Sequence, residues 1–85
     1  MPKMKFGRWL ASIEDDGSEL AVLADDFRRD MKLNGLNAAD FPCPCSVHAR
    51  IYASRYGIGG GVDVSRGIEA LWEYAEPEFR TYRGE

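Results

Sequence analysis

The sequence predicts an all-α protein, a single compact bundle of four or five helices. Apolar residues recur at spacings of three and four within separate segments, as they do along one face of a helix. Short runs rich in glycine, proline, asparagine or aspartate separate these segments, and no segment shows the sustained alternation of a strand. The chain has 85 residues, and a chain this short builds one modest core, so residues 1–85 are expected to form one domain.

The first two helices are predicted over residues 3–14 and 18–33, where apolar side chains fall at i, i+3, i+4 and i+7. Ser18 is a favourable N-cap for the second helix, because its hydroxyl accepts from a free backbone N–H. The pair Asn34-Gly35 is expected to end that helix, since both residues tolerate the left-handed conformation. The residues expected to face the core are Phe6, Trp9, Leu10, Ile13, Leu20, Leu23, Ala24, Phe27 and Met31.

The connector and the later helices are predicted from prolines and spacing together. A proline biases the residue before it toward extended backbone, so Phe41 is expected to anchor its ring in the core ahead of a third helix over residues 44–56. A fourth helix is predicted over residues 63–76, and Pro77 either kinks it or starts a short further turn over residues 77–83. The expected cap of the fourth helix is Asp63 or Ser65, and the expected core residues are Val47, Ile51, Tyr52, Val64, Ile68, Leu71, Trp72 and Ala75, with the stem of Arg55.

Short patterns follow one another in a fixed order along the chain. They are carried by Phe6, Trp9-Leu10, Leu23-Ala24-Asp25-Asp26, Asp40-Phe41-Pro42, His48, Ile51-Tyr52, Ala70, Leu71-Trp72 and Tyr74. This order resembles the YozE-type family of small bacterial proteins, whose fold is like the sterile alpha motif (SAM). The resemblance implies a SAM-like fold and no catalytic residue, and Cys43 and Cys45 lie outside its pattern.

Composition and charge indicate the cellular compartment and the classes of partner to expect. No run of about 18 apolar residues exists, so no transmembrane helix is expected, and charge interrupts the N-terminal apolar stretch, so no signal peptide is expected. Two cysteines are too few for a secreted disulfide scaffold, which predicts a cytoplasmic protein. The formal net charge of -3 disfavours non-specific binding to nucleic acid, which a basic excess usually supports.

The start of the third helix carries the residues most suggestive of chemistry. Cys43, Cys45 and His48 are candidate metal ligands, but structural zinc takes four ligands, usually as two pairs, and the sequence has no second pair. A redox-active thiol needs an electropositive, partly open setting, which a helix N-terminus supplies in part. The remaining alternative is that both cysteines pack as small apolar residues, while Pro42 and Pro44 stiffen the entry to the helix. No cofactor is predicted.

Two further patterns do not amount to an active site. The glycines between residues 57 and 61 do not complete a phosphate-binding loop, because no strand precedes them and no Gly-Lys-Ser/Thr follows. One histidine and scattered carboxylates assign neither a base nor a nucleophile. We therefore expect a flexible connection at the glycines and no enzymatic activity.

Charge is unevenly distributed, and its distribution gives two function hypotheses. The basic residues near the N-terminus are Lys3, Lys5 and Arg8, and the acidic residues after them include Glu14, Asp15 and Asp16. Contact between these segments of two copies would be head-to-tail, so the leading hypothesis is a non-enzymatic interaction module that self-associates or binds a protein partner. The alternative is a nucleic-acid-binding surface on which the basic residues join Arg50 and Arg55 beside Tyr52.

Overall fold

The computed structural model describes residues 3–53 and 63–84. Its helices are α1 (Phe6–Ala11), α2 (Glu19–Asn34), α3 (Pro44–Ala53), α4 (Val64–Ala70) and α5 (Glu76–Arg83), with a 3-10 turn (Ala38–Asp40) before α3 and a π-helical turn (Leu71–Ala75) between α4 and α5. These residues contain no strand. The radius of gyration is 11.6 Å, close to the value of about 12 Å for a compact chain of this length. The all-α bundle predicted from the sequence is confirmed.

Local caps set three helix ends, two of them at the predicted residues and the third at Asp63, one of the two residues that the sequence allows. The Ser18 hydroxyl accepts from the Ala21 N–H at 3.1 Å and starts α2. Gly35 ends α2 in the left-handed conformation, with φ 63°. Asp63 starts α4 by accepting from the Arg66 N–H at 2.8 Å. Each contact satisfies a backbone group or supplies a conformation that a helix end requires, so these boundaries depend on adjacent residues alone.

The start of α1 depends instead on distant backbone. The Phe6 and Gly7 N–H groups donate to the carbonyls of Pro42 and Phe41, at 3.3 and 2.7 Å. The first donors of a helix have no partner within it, so these two carbonyls take the place of a capping side chain. The helix therefore begins at Phe6, three residues later than the predicted span of 3–14.

The end of α1 is set by a side chain of α2. The Arg28 guanidinium donates to the carbonyl of Ala11 at 3.1 Å and to that of Ile13 at 2.6 Å. A longer α1 would use these carbonyls in its own hydrogen bonds. Because Arg28 takes them, α1 stops at Ala11, and the prediction that it continues to residue 14 is wrong.

Gly7 lets α1 lie directly on the segment before α3. A Cβ atom at this position would lie 2.6 Å from the Phe41 carbonyl oxygen and would also overlap the Ala38 carbonyl oxygen. Phe41 itself is half-buried, and its ring meets that of Phe27 edge-on at 5.7 Å between centroids. The Phe41–Pro42 segment thus anchors a ring in the core and caps α1 with its carbonyls.

The three C-terminal elements are continuous, although the sequence allows for a break at Pro77. Pro77 lies in the first turn of α5 and has no N–H to donate to the preceding turn. The π-helical turn just before it widens the helix, and the Glu76 N–H donates to the Leu71 carbonyl five residues back. The helices predicted over 63–76 and 77–83 are therefore one helix with a π-helical turn inside it.

The core collects side chains from every α-helix. Its buried residues are Phe6, Trp9, Leu10, Leu23, Ala24, Phe27, Met31, Val47, Ile51, Ala70, Leu71, Ala75 and Phe79. Ile68 and Phe41 pack against this set while half-buried. Phe79 is a core residue that the sequence does not predict, and its ring meets that of Phe6 edge-on at 5.1 Å between centroids. Because Phe79 follows a proline, the sequence gives no sign that the apolar face of the preceding helix continues as far as this residue.

Two residues predicted for the core lie outside it. Trp72 is 39% exposed and Tyr52 is 74% exposed. Each directly follows a residue that takes the inward position of its helix, Leu71 and Ile51, and the next side chain along a helix points about 100° away. Trp72 instead donates its indole N–H to His48.

Two of the predicted features fall on residues between 54 and 61. The expected last residues of the third helix, 54–56 with Arg55, and the glycines between 57 and 61 lie outside the described residues. Among helices of residues 3–53 and 63–84, none is long and apolar enough to cross a membrane.

Candidate interaction surfaces

The N-terminal segment and the end of α5 enclose a groove with basic walls. Its lining residues are Lys3, Met4, Lys5, Pro42 and Arg83, around a volume of about 560 Å³. An adjoining groove of about 350 Å³ extends it to Arg8 and Ala39. We call the combined surface the basic groove. Its four cations, Lys3, Lys5, Arg8 and Arg83, are all exposed.

Tyr82 holds one wall of the basic groove in place. The Lys3 ammonium donates to the Tyr82 carbonyl at 2.7 Å and lies 5.6 Å from the centre of its ring. The Met4 N–H donates to the Tyr82 hydroxyl at 2.9 Å. A cation at the last carbonyls of a helix also interacts favourably with the helix dipole. The N-terminal segment is thus fastened to the end of α5.

The basic groove suits anionic groups on a partner. Ammonium and guanidinium groups form short, charge-assisted hydrogen bonds with carboxylate and phosphate oxygens. The structure brings together Lys3, Lys5 and Arg8, as the sequence suggests, and adds Arg83. Sequence reasoning missed Arg83 because it comes from the opposite end of the chain and enters the groove only through the packing of α5.

Arg50 does not belong to this surface. Its Nε and Nη2 atoms each donate to one carboxylate oxygen of Asp30, both at 2.8 Å. Hydrogen bonding to Asp30 raises the pKa of Arg50. Asp30 is buried and also accepts from the Asn34 amide at 2.8 Å. Arg50 therefore joins α3 to α2, and its predicted role in an interaction surface is replaced by a role in the fold.

An acidic groove lies where the loop before α2 meets the π-helical turn and the start of α5. Its lining residues are Asp16, Ser18, Glu19, Leu20, Glu73, Tyr74, Pro77 and Glu78, around a volume of about 360 Å³. Tyr74 is 43% exposed, so an aromatic ring lies among four carboxylates. Sequence reasoning placed Asp16 at such a surface and missed Glu73, Tyr74 and Glu78, which only folding brings beside it.

The loop that supplies Asp16 is ordered by its own carboxylates. Asp15 accepts from the Gly17 N–H at 3.1 Å, and Asp16 accepts from the Ser18 N–H at 2.9 Å. Hydrogen bonds from Ser18 hold the pKa of Asp16 below its ordinary value. Glu14 is exposed on the same loop. Glu14 and Asp15 lie near the acidic groove in sequence but do not line it.

A third surface is aromatic and crosses from α3 to the π-helical turn. The Trp72 indole N–H donates to Nδ1 of His48 at 2.8 Å, which places the proton of the neutral imidazole on Nε2. The His48 ring stacks on that of Tyr52 at 6.5 Å between centroids. We call these three residues the aromatic patch. Exposed tryptophan and tyrosine are typical of binding hot spots.

The two cysteines lie at the start of α3, and both are free and exposed. The Cys43 sulfur lies 3.7 Å from the Ser46 hydroxyl oxygen. Hydrogen bonds from the backbone and side chain of Ser46 hold the pKa of the Cys43 thiol below its ordinary value. In the described part of the chain, no three His, Cys, Asp or Glu side chains are grouped to hold a metal ion, and Nδ1 of His48 is engaged by Trp72.

Comparisons with protein-family models, curated proteins and solved structures returned no match for this chain. The resemblance to the YozE-type family and to the SAM fold remains a prediction from the sequence.

Proposed function

We propose that this chain is a non-enzymatic protein-interaction module that associates with further copies of itself. The observation that supports the proposal is the presence of two grooves of opposite charge. The basic groove presents Lys3, Lys5, Arg8 and Arg83, and the acidic groove presents Asp16, Glu19, Glu73 and Glu78. The cytoplasm, predicted from the cysteine content, is the compartment in which we propose that it acts.

The two grooves share no lining residue, so one copy can use both at once. Contact between unlike surfaces is heterologous, and repeated heterologous contact gives rings or open chains. Complementary charge steers such contacts and fixes their register. Exposed charges are screened beyond about 8 Å at physiological ionic strength, so the association is expected to weaken as salt is added.

Two charge-reversal variants test this contact. Lys5→Glu weakens the basic groove and leaves the acidic groove intact, whereas Glu73→Lys does the reverse. Each variant alone is expected to sediment as a monomer at low salt, while the wild type forms larger species. An equimolar mixture of the two is expected to form a dimer and nothing larger, because only one intact groove of each kind remains.

The control is Lys32→Glu, because Lys32 is exposed on α2 and lines neither groove. This variant changes net charge as Lys5→Glu does and is expected to self-associate like the wild type. A wild-type protein that stays monomeric at high concentration and low salt would rule out self-association through the grooves.

A second candidate function is binding of single-stranded nucleic acid to the basic groove, supported by its four clustered cations. Four phosphate contacts would give a salt dependence of log K on log salt with a slope of about -3. Fluorescence anisotropy of a labelled oligonucleotide measures this slope. Nucleic-acid binding predicts that Lys5→Glu weakens binding and Glu73→Lys does not, and absence of binding at low salt excludes it.

A further inference from the structure

One hydrogen bond joins the two elements that carry the aromatic patch. The Trp72 indole N–H, on the π-helical turn, donates to Nδ1 of His48, on α3, at 2.8 Å. The centres of the two rings are 5.8 Å apart, and their planes are inclined at 54°. Trp72 is 39% exposed, so the bond lies at the surface, where protons from solvent reach it.

This bond can form in only one protonation state of His48. The indole N–H of tryptophan is a donor and never an acceptor, so Nδ1 of His48 must present a lone pair to it. In the imidazolium form both ring nitrogens carry protons, and two N–H groups would then point at each other. Protonation of His48 at Nδ1 and its hydrogen bond to Trp72 therefore exclude one another.

The charged groups around α3 leave the proton of His48 to this bond. Histidine is the side chain whose charge ordinarily changes between about pH 5 and pH 8. The titratable or charged residues of α3 and of the elements packed against it are Cys45, Arg50 and Tyr52 of α3, Arg8 of α1, Asp30 of α2, Arg66 and Glu69 of α4, and Glu73 of the π-helical turn. Within residues 3–53 and 63–84, none of them forms an ion pair with His48. No such pair has to break before His48 takes up a proton.

We propose that the His48–Trp72 pair is a pH-sensitive latch between α3 and the π-helical turn. At neutral pH the latch is closed, the indole is held against α3, and the aromatic patch is uncharged. When the pH falls, His48 takes a proton from solvent on Nδ1 and the indole is released. The imidazolium then lies beside the ring of Tyr52, on which His48 stacks, so the patch changes from a neutral surface to a positively charged one.

The latch can open without unfolding the bundle. Val47 directly precedes His48 and Leu71 directly precedes Trp72, and both of these preceding residues are fully buried in the core. The ion pair between Arg50 and Asp30, at 2.8 Å, also keeps α3 on α2. Opening is therefore confined to the two rings and their immediate surroundings. Neither ring lines the basic or the acidic groove, so the latch does not depend on self-association.

The test is a pH titration of the full chain, labelled with ¹⁵N, by NMR at high salt between about pH 8 and pH 5. Long-range spectra of the single histidine report its tautomer, and at the upper pH they are expected to place the proton on Nε2. The spectrum of Trp72→Phe identifies which of the two indole N–H signals belongs to Trp72. That signal is expected to shift with the same midpoint as His48, while the signal of the buried Trp9 stays in place.

Two variants of His48 separate the latch from a general effect of acid. The side-chain carbonyl of His48→Gln can accept from the indole at every pH, so the shift of the Trp72 signal is expected to disappear. His48→Phe has no acceptor, and its Trp72 signal is expected to resemble that of the acidified wild type throughout. Circular dichroism checks that both variants keep their helix content.

Three results would overturn the proposal, and the first two need only the wild-type chain. One is a proton on Nδ1 of His48 at the upper pH. Another is a Trp72 signal that does not move, or that moves with a midpoint different from that of His48. The third is the same pH-dependent shift in His48→Gln, which would show that another group causes it.

Discussion

α1 and α3 are held in the fold by different means. α1 has six residues, and four of them, Phe6, Gly7, Trp9 and Leu10, are buried. Its first N–H groups donate to backbone carbonyls of the segment before α3. α3 has ten residues and buries only Val47 and Ile51, and its remaining tie to α2 is the ion pair between Arg50 and Asp30. The shorter helix is thus the more deeply embedded.

This difference in burial means that α1 mainly stabilises the fold, whereas the exposed side of α3 is available to partners. Almost every side of α1 is occupied by packing, so its substitutions should mainly change stability. The outer side of α3 carries Cys45, His48 and Tyr52, which are partly or fully exposed and contribute nothing to the buried core. Changes there should mainly alter binding and reactivity, with little effect on the free energy of unfolding.

The largest expected effect contrasts the two tryptophans. Trp9 is 5% exposed and packs against the rings of Phe6, Phe79 and Tyr82, so Trp9→Ala is expected to lower the free energy of unfolding by about 4 kcal/mol. Trp72 is 39% exposed, and Trp72→Ala is expected to cost less than about 1 kcal/mol. Urea unfolding measures both. Similar costs for the two variants would contradict the contrast between the buried face of α1 and the exposed aromatic patch that α3 shares with the π-helical turn.

Gly7→Ala gives the next largest effect. Alanine normally stabilises a helix by about 1 kcal/mol relative to glycine. At Gly7 the added Cβ meets the carbonyl oxygens of Ala38 and Phe41, and we expect a loss of about 3 kcal/mol, at the upper end of the range for overpacking. The matched variant is Ala49→Gly on the exposed side of α3, which should cost about 1 kcal/mol by helix propensity alone. An increase in stability for Gly7→Ala would show that α1 is not fixed by this backbone contact.

Arg50→Ala tests the tie between α3 and α2. Removing one partner of a fully buried ion pair costs about 3–5 kcal/mol. The Arg50 side chain is 29% exposed and that of Asp30 is 4% exposed, so solvent reduces the loss, and we expect about 2 kcal/mol. Arg8→Ala, at an exposed position of α1, should change the free energy of unfolding by less than about 0.5 kcal/mol. Equal costs for the two arginine variants would exclude a structural role for the Arg50–Asp30 pair.

These contrasts also show which features the sequence was able to predict. Helical spacing located the helices, and the caps at Ser18, Gly35 and Asp63 were predictable because each acts on residues beside it. The short length of α1 was not predictable from the sequence. Its start is set by the carbonyls of Phe41 and Pro42, and its end is set by the side chain of Arg28. Each of these contacts joins residues that are far apart in the sequence, and spacing within one segment carries no information about them.

The candidate surfaces were also predictable only where their residues are close in the sequence. The sequence shows the basic cluster from Lys3 to Arg8 and the acidic loop before α2. It does not show that residues of α5 and of the π-helical turn complete the two grooves. The spacing between Ile68 and Trp72 fits a helical face and therefore predicts a core position for Trp72. In the structure Trp72 lies at the edge of that face, and its indole N–H donates to the imidazole of His48.

The smallest expected effect compares two buried aspartates on α2. Asp30 bonds with both of its oxygens, whereas Oδ2 of Asp26 is buried and has no hydrogen-bond partner among the described residues. Within residues 3–53 and 63–84, the hydrogen bond to the other oxygen of Asp26 is a long one, of 3.5 Å from Arg29. Asp26→Asn removes a buried charge that is poorly compensated, and it is expected to raise the free energy of unfolding at pH 7 by about 1 kcal/mol. Asp30→Asn, which weakens a well-made ion pair, is expected to lower it.

The pH dependence of Asp26→Asn distinguishes desolvation from other causes. Burial raises the pKa of Asp26 above its ordinary value of 3.8, so the folded state binds this proton more tightly than the unfolded state does. The resulting stabilisation is present below the ordinary pKa and is lost as the pH rises through the raised pKa of the folded state. The advantage of Asp26→Asn over the wild type should therefore be largest at neutral pH and shrink as the pH falls toward the ordinary aspartate range. Urea midpoints measured between pH 4 and 8 test this, and an advantage that stays constant across that range would mean that the charge of Asp26 costs the fold nothing.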